Sequence, residues 1–319
     1  MTVRVQAQAA PDAAREFEAH RRFLWGLCYR MTGSAADADD LVQEAFVRAL
    51  QRRPAGGPTG WRPWLAKVAA NLAIDALRRR KRRDYVGPWL PALVETGDEA
   101  SPPAHEIASD QESTEHRYDL MESVSTAFLL ALERLSPRQR AVLLLRDVFD
   151  YSVQETGAAL DLSEANVKVT HHRARLTMRD YEGARMLPTR EHQAKTGEKL
   201  REFLRHLENQ DVAAVESMLA ADVRMLSDGG GEFAAALNPI LGRAKVARLF
   251  LTLAAKRQPG YAFEFRMLNG SPAVLIQGPA PVGQAPRFVI QIDVGPDGRI
   301  GEIHTVLATR KLSAIRFGS

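Results

Sequence analysis

Lys67, Asn71, Asp75, Arg78 and Arg82 recur at i, i+4, i+8, i+11 and i+15, a spacing that gathers them on one side of a single helix. Arg79 belongs to the same wholly basic run, Arg78 to Arg83, and Trp61 and Trp64 stand at the start of the segment. Cations neutralise phosphates and flat rings stack on unpaired bases, so this is a set of side chains suited to single-stranded nucleic acid. Taken singly, each tryptophan also reads as core. A second set lies a hundred residues on. Asn166, Lys168, Thr170, His172 and Arg173, with Arg175 just behind, point away from a face that buries Val167, Ala174 and Met178. These are hydrogen-bonding types matched to base edges and phosphates of a duplex.

The elements that position the second set are marked by caps. Val124, Phe128, Ala131, Leu132 and Leu135 form one apolar stripe, after which Ser136-Pro137 supplies an N-cap and an N1 proline. The next helix buries Val142, Leu145 and Val148. Ser152 with Glu155 forms a capping box before a short helix, Val153 to Leu160, and Ser163 caps the longer basic helix. Short helix, tight turn and basic helix make a helix-turn-helix plan, whose second helix enters the major groove. For the first set, Phe17, Leu24, Leu27, Cys28 and Met31 define a helix ended by Gly33. Ser34 with Asp37 opens another, with Asp37, Asp39 and Asp40 near its positive end and Leu41, Val42, Ala45, Phe46 and Ala49 as its stripe. Pro54–Gly60 reads as a loop, and Leu65, Val68, Leu72 and Ala76 as the buried side of the tryptophan-led helix.

At 319 residues the chain predicts two or three domains. Helical patterning covers about 13–83 and 118–187, separated at 84–117 by a linker rich in Pro, Gly, Ser and acids, with a fourth stretch at 194–317. That last stretch opens with helices (Leu200, Phe203, Leu204 and Leu207; then one capped by Asp211; then Val246, Leu249, Phe250 and Leu253). Strands are predicted at 223–227, 261–268, 273–277, 287–294 and 300–307, with hairpin turns at Asn269-Gly270 and Asp297-Gly298. The net charge is +4. One cysteine excludes an internal disulfide, and the lack of an apolar leader or spanning segment makes the cytoplasm the expected compartment. No cofactor motif and no metal-ligand spacing is read.

The order of the blocks carries a resemblance. "DADDLVQEAFVRAL" (Asp37–Leu50) resembles the part of sigma region 2 that docks on core RNA polymerase. "WLAKVAANLAIDALRRRKRR" (Trp64–Arg83) is similar to the part that melts and reads the −10 element. "LSPRQRAVLLLRDVFDYSVQETGAALDLSEANVKVTHHRARL" (Leu135–Leu176) is similar to region 4, which reads the −35 element. The chain is identified as a member of the extracytoplasmic-function sigma factors. "YVGPWLP" (Tyr85–Pro91) and "DGGG" (Asp228–Gly231) further resemble a subgroup with a fused C-terminal SnoaL-like domain.

The resemblance implies two all-α sigma domains followed by an α+β SnoaL-like cone-shaped barrel around a cavity. It implies polymerase contacts at Asp37, Asp40, Leu41, Gln43, Glu44 and Phe46. Contacts to −10 DNA are implied at Trp61, Trp64, Lys67, Asn71, Asp75, Arg78, Arg79 and Arg82, with Asn71 and the loop near Pro54–Gly60 pocketing a flipped base. The −35 contacts fall at Asn166, Lys168, Val169, Thr170, His172, Arg173 and Arg175, and Val169 has no hydrogen bond to offer a base. The tail is expected to regulate in cis by packing Asp228, Gly229, Gly230 and Gly231 on Tyr85, Gly87, Pro88, Trp89, Leu90 and Pro91. The chain departs from the subgroup at Ala92-Leu93, where an acidic-proline pair is common, and at Glu232, where lysine is usual. Two other readings stand beside this one: a DNA-binding module fused to a small-molecule enzyme or sensor using Asp222, Asp228, Asp293 or His304, and a repressor that binds duplex DNA without polymerase. The acidic Asp37–Glu44 segment argues against the repressor, since it would repel DNA.

Overall fold

The computed structural model describes residues 2–51, 60–81, 85–96, 122–184, 189–257 and 259–318. The chain forms two compact units. One comprises residues 1–83 and 105–186, the other 84–104 and 187–319.

Among the described residues, the first unit is helical. Helices α1 (Thr2–Thr32), α2 (Ala35–Gln51) and α3 (Trp61–Lys81) pack together around Leu24, Leu27, Cys28, Met31, Leu41, Val42, Leu65 and Leu72. Gly33 takes a positive φ of 63° and its N–H bonds the Tyr29 carbonyl, ending α1, while Ser34 Oγ accepts from the Asp37 N–H to start α2. Burial pushes the Cys28 thiol up to about 12, so it packs as an inert hydrophobe. A 3-10 turn at Glu122–Val124 leads into α4 (Thr126–Leu132), α5 (Pro137–Asp147), α6 (Val153–Leu160) and α7 (Glu164–Ala184). Both Ser136 with Gln139 and Ser152 with Glu155 form reciprocal capping boxes, and Ser163 Oγ accepts from the Asn166 N–H. In α5, residues 141 to 145 are all fully buried, so this helix is the spine of its bundle.

The second unit is α+β, as expected of a SnoaL-like domain. Helices α8 (Arg190–Glu208), α9 (Val212–Met218) and α10 (Arg243–Ala255) accompany six strands: β1 (Leu219–Asp228), β2 (Ile240–Leu241), β3 (Ala262–Leu268), β4 (Ser271–Gln277), β5 (Arg287–Val294) and β6 (Ile300–Val306). The sheet order is β2-β1-β6-β5-β4-β3. β3 to β6 form an antiparallel meander, and β1 joins it parallel to β6, pairing Met225 with Ile303 and Leu226 with His304. One face of the sheet (Met225, Val274, Ile276, Ile290, Ile292, Ile303) packs on Leu200, Phe203, Val215, Val246 and Phe250 of the helices. Asn269 and Gly270 both take positive φ in the β3–β4 hairpin, as the Asn-Gly pair predicts.

Residues 85–96, expected as linker, are part of this second unit. Leu90, Ala92, Leu93 and Val94 are buried, and their backbone is bonded at one end to Asp228 of β1 and at the other to the β3–β4 hairpin. The remainder of the expected linker, the loop residues 54–59, and Arg82 lie outside the described residues.

Gly157 in α6 allows the tight turn of the helix-turn-helix. An added Cβ would stand 2.7 Å from the Leu162 carbonyl oxygen, whereas at Gly183 of α7 it meets nothing within 4 Å. Better helix propensity would stabilise either alanine by about 1 kcal/mol, but overpacking against backbone costs about 1–3 kcal/mol. Gly157→Ala is therefore expected to lower, and Gly183→Ala to raise, the urea midpoint of the full-length protein.

Candidate nucleic-acid interface and interdomain junction

Along α7, the side chains expected to face DNA are on the surface. Asn166, Lys168, Val169, His172, Arg173 and Arg175 are exposed and Thr170 is partly so, while Val167, Ala174 and Met178 are buried. His171, between two of these residues, turns the other way. Its Nε2 lies 2.7 Å from Asp147 Oδ1 and braces α7 against α5. No periodicity marked it, because one polar residue among many on a basic helix has no distinguishing sequence signal.

On α2, Asp40, Gln43 and Glu44 are exposed and Asp37 and Phe46 half-buried, but Leu41 is buried at the helix interface. Leu41 thus holds α2 in place and does not face a partner. On α3, Asp75, Arg78 and Arg79 are exposed, and Trp61, Trp64, Lys67 and Asn71 are partly covered. The two indoles meet edge to face with centroids 6.2 Å apart.

The helices before and after the linker also contact each other. Lys67 Nζ is 2.5 Å from Asp161 Oδ1, and Asp161 is the left-handed residue (φ 52°) that ends α6. Arg80 donates to the Thr32 carbonyl and to both oxygens of Glu133, which also pairs with Arg140 at 2.9 Å. Arg140, 2% exposed, donates to the carbonyls of Met31 and Leu132 at 2.6 and 2.7 Å. Arg30 is fully buried, donates to Ser123 Oγ at 2.7 Å, and is lowered to about 10 by burial. Phe23 completes the contact against Phe149 and Tyr151. Polar groups thus carry much of this contact, the guanidinium groups meeting backbone carbonyls, a hydroxyl and the carboxylate shared by Arg80 and Arg140.

In the second unit, Asp228 is the hub. Its side chain is 0% exposed. Oδ1 accepts from Tyr85 Oη at 2.7 Å and from the Gly230 N–H at 3.0 Å. Oδ2 accepts from the Leu90 N–H at 2.7 Å and from Lys311 Nζ. Lys311 also donates to the Leu90 carbonyl and sits over the rings of Tyr85 and Trp89, 4.8 and 4.6 Å from their centroids. The following glycines let the chain approach this closely. A Cβ on Gly229 would lie 2.4 Å from the Phe233 carbonyl oxygen, and one on Gly230 (φ +60°) 2.7 Å from Ala308 Cβ. Of the other residues expected here, Pro91 is buried, and Gly87, Pro88 and Trp89 are half-buried. Gly231 sits beside Val86. Ala92 and Leu93, the departure from the subgroup pattern, are both buried, and Glu232 accepts from the Thr309 N–H at 3.1 Å.

A half-open pocket of about 700 Å³ lies in this unit, lined among others by Phe233, Gln277, Arg287, Leu307, Leu312 and Phe317. None of Asp222, Asp228, Asp293 and His304 lines it. Asp222 is exposed. His304 and Asp293 do come together elsewhere, with Glu302, which the sequence reading missed. His304 Nε2 is 3.0 Å from Glu302 Oε2. Burial disfavours the charged imidazole of His304, but the hydrogen bond to Glu302 and the nearby Asp293 carboxylate outweigh it, so its pKa is raised.

The comparisons with known proteins agree with this division. The model of sigma-70 region 2 matches residues 17–83, and that of sigma-70 region 4 matches residues 125–178. Two promoter-recognition modules of a bacterial initiation factor are thus defined. Over 259 residues the chain is 31% identical to the ECF RNA polymerase sigma factor SigJ of Mycobacterium tuberculosis, covering 80% of this chain and 78% of that one. It is 28% identical over 307 residues to the probable ECF RNA polymerase sigma factor SigI of the same species, covering 94% of each. The crystal structure of M. tuberculosis SigJ matches with a TM-score of 0.70 and 27% identity, covering 94% of this chain and 98% of that chain. The chain belongs to the extracytoplasmic-function RNA polymerase sigma factors, and it carries a C-terminal α+β unit beyond its two sigma modules.

Removing the Asp228 charge leaves the Lys311 ammonium buried without its carboxylate, a change that typically costs about 3–5 kcal/mol. Asp228→Asn in the full-length protein is expected to release residues 85–96, seen as chymotryptic cleavage near Tyr85 and Trp89 at least tenfold faster than in the parent. Cleavage at the parental rate would show that the apolar residues alone hold the segment.

Proposed function

We propose that the C-terminal unit controls this sigma factor in cis by holding residues 85–96, the chain that leaves the −10 module toward the −35 module. The observation that carries this reading is the Asp228 junction, which makes that segment a structural part of the C-terminal unit. The exposed acids of α2 (Asp40 and Glu44) face core polymerase, α3 with Trp61, Trp64, Lys67, Asn71, Asp75, Arg78 and Arg79 engages the −10 strand, and the exposed side of α7 engages the −35 duplex. The partners are core RNA polymerase and promoter DNA, met in the cytoplasm. Among the described residues no helix is long and apolar enough to cross a membrane.

The contact between the two promoter modules supports a gated factor. Lys67, expected on −10 DNA, is engaged by Asp161 in the turn of the −35 reader. The two promoter elements lie about 25 base pairs apart, roughly 85 Å of duplex at about 3.4 Å per pair. Both modules therefore reach their elements only after this contact opens. Its polar character suits an interface that must part, since its groups can be solvated when it does.

Run-off transcription with core polymerase on promoters from its own genome should depend on this protein and change when residues after 187 are removed. Equal output from both forms would reject regulation by the tail. Asp40→Lys with Glu44→Lys is expected to abolish polymerase association by at least tenfold while leaving binding of isolated −35 duplex in place. Glu133→Lys sets a cation against Arg80 and Arg140 and is expected to open the contact, seen as a larger radius of gyration in solution scattering. An unchanged radius would show that the interface does not depend on this charge cluster.

A further inference from the structure

Asp293, Glu302 and His304 lie on the sheet face opposite the helices, where the mechanism of promoter recognition has no use for them. The register places them together. Asp293 of β5 is directly opposite Glu302 of β6, and His304 is two residues further along β6, on the same face. Their potential ligand atoms, one from each side chain, all lie within 4.8 Å of one another. Arg224 of β1, half-exposed, reaches Glu302 at 3.2 Å from one side, and His192 on the first turn of α8 is close enough to act electrostatically on Asp293.

The imidazole supplies a separate observation. His304 is 2% exposed, and with Nε2 engaged by Glu302 its Nδ1 is buried with no hydrogen-bond partner. That nitrogen is 3.9 Å from Asp293 Oδ2, too far for a hydrogen bond. A buried polar atom left unsatisfied costs about 1–3 kcal/mol, so its position calls for an occupant. The gap is of the size that two metal–ligand bonds of about 2.0–2.2 Å would span. The hydrogen bond on the other ring nitrogen matches the usual outer contact of a metal-bound histidine, a carboxylate that accepts the second N–H and fixes the tautomer. The Asp293 side chain is 50% exposed, which leaves it room to adjust and opens the site to solvent.

We propose that Asp293, Glu302 and His304 form a binding site for a divalent transition-metal ion. His304 Nδ1 and the Asp293 carboxylate are the facing ligands, Glu302 orients the imidazole, and water completes the sphere. A set of one nitrogen with carboxylate oxygens and no sulfur selects Zn²⁺, Mn²⁺ or Fe²⁺ over soft ions. An ion here ties β5 to β6, the strand that pairs directly with β1 and so supports Asp228 at its end. Metal would in this way stabilise the unit that holds residues 85–96.

The test is titration of metal-free full-length protein with Co²⁺, followed by visible ligand-field absorption and by thermal unfolding. Saturable uptake of one equivalent is expected, displaced by Zn²⁺, with a rise in melting temperature. Asp293→Asn and His304→Ala should each weaken Co²⁺ binding at least tenfold, and Asp222→Asn, an exposed acid of β1, should leave it unchanged. Should His304→Ala fail to fold, Asp293→Asn alone decides, because its half-exposed carboxylate bears little of the packing. No saturable uptake by the parent, or equal uptake by Asp293→Asn, would overturn the site.

Discussion

A carboxylate with no contact to solvent has to be surrounded by donors, and Asp228 obtains them from three separate parts of the chain. Tyr85 and the Leu90 amide come from the segment after region 2, the Gly230 amide from its own loop, and the ammonium of Lys311 from the last turn of the protein. Burying such a charge is favourable only while all of these partners are in place, because losing one exposes the full desolvation penalty of the rest. The junction is therefore cooperative. The hold on residues 85–96 thus rests on partners that depend on one another.

The contact inside the helical unit follows a different logic. Arg30 and Arg140 are buried and donate to the backbone carbonyls of Gly26, Met31 and Leu132, which stay where they are when a neighbouring side chain changes. Glu133 is the exception, shared between Arg80 and Arg140 at the edge of the contact. Its carboxylate sets how much positive charge can be held there. The exposed pair between Lys67 and Asp161 contributes little energy by itself, typically about 0–1 kcal/mol for a surface pair. Its meaning lies in which residues it occupies.

Local chemistry was readable from the sequence and long-range pairing was not. The caps at Ser136, Ser152 and Ser163, the inward residues of α7, and the meander from β3 to β6 each depend on neighbours within a few residues, so the pattern was sufficient. The Asn269-Gly270 hairpin was legible for the same reason. The parallel pairing of β1 with β6 and the short β2 depend on partners tens of residues away and leave no local trace. Residues 85–96 were the largest departure. Their prolines and glycine read as a linker, yet Leu90, Ala92, Leu93 and Val94 are core, with partners at Asp228, Asn269 and Lys311. The motifs named that junction through resemblance, and only the structure shows the burial. Glu302 was missed because an acid in an alternating strand is ordinarily solvated, and only the cross-strand register brings it to His304.

The separation between Leu90 and Lys311 has a consequence for how the protein is made. They are 221 residues apart. At about 5–20 residues per second, the ribosome needs on the order of 10–45 s to deliver Lys311 after Leu90 has been joined. During that interval region 2 and then the helix-turn-helix emerge, while Leu90, Leu93 and Val94 have no sheet to cover them. A nascent chain thus passes through a stage in which both promoter modules exist and the sheet that covers residues 85–96 does not. How quickly translation reaches Lys311 then sets the length of time for which Leu90, Leu93 and Val94 stay uncovered in each new molecule.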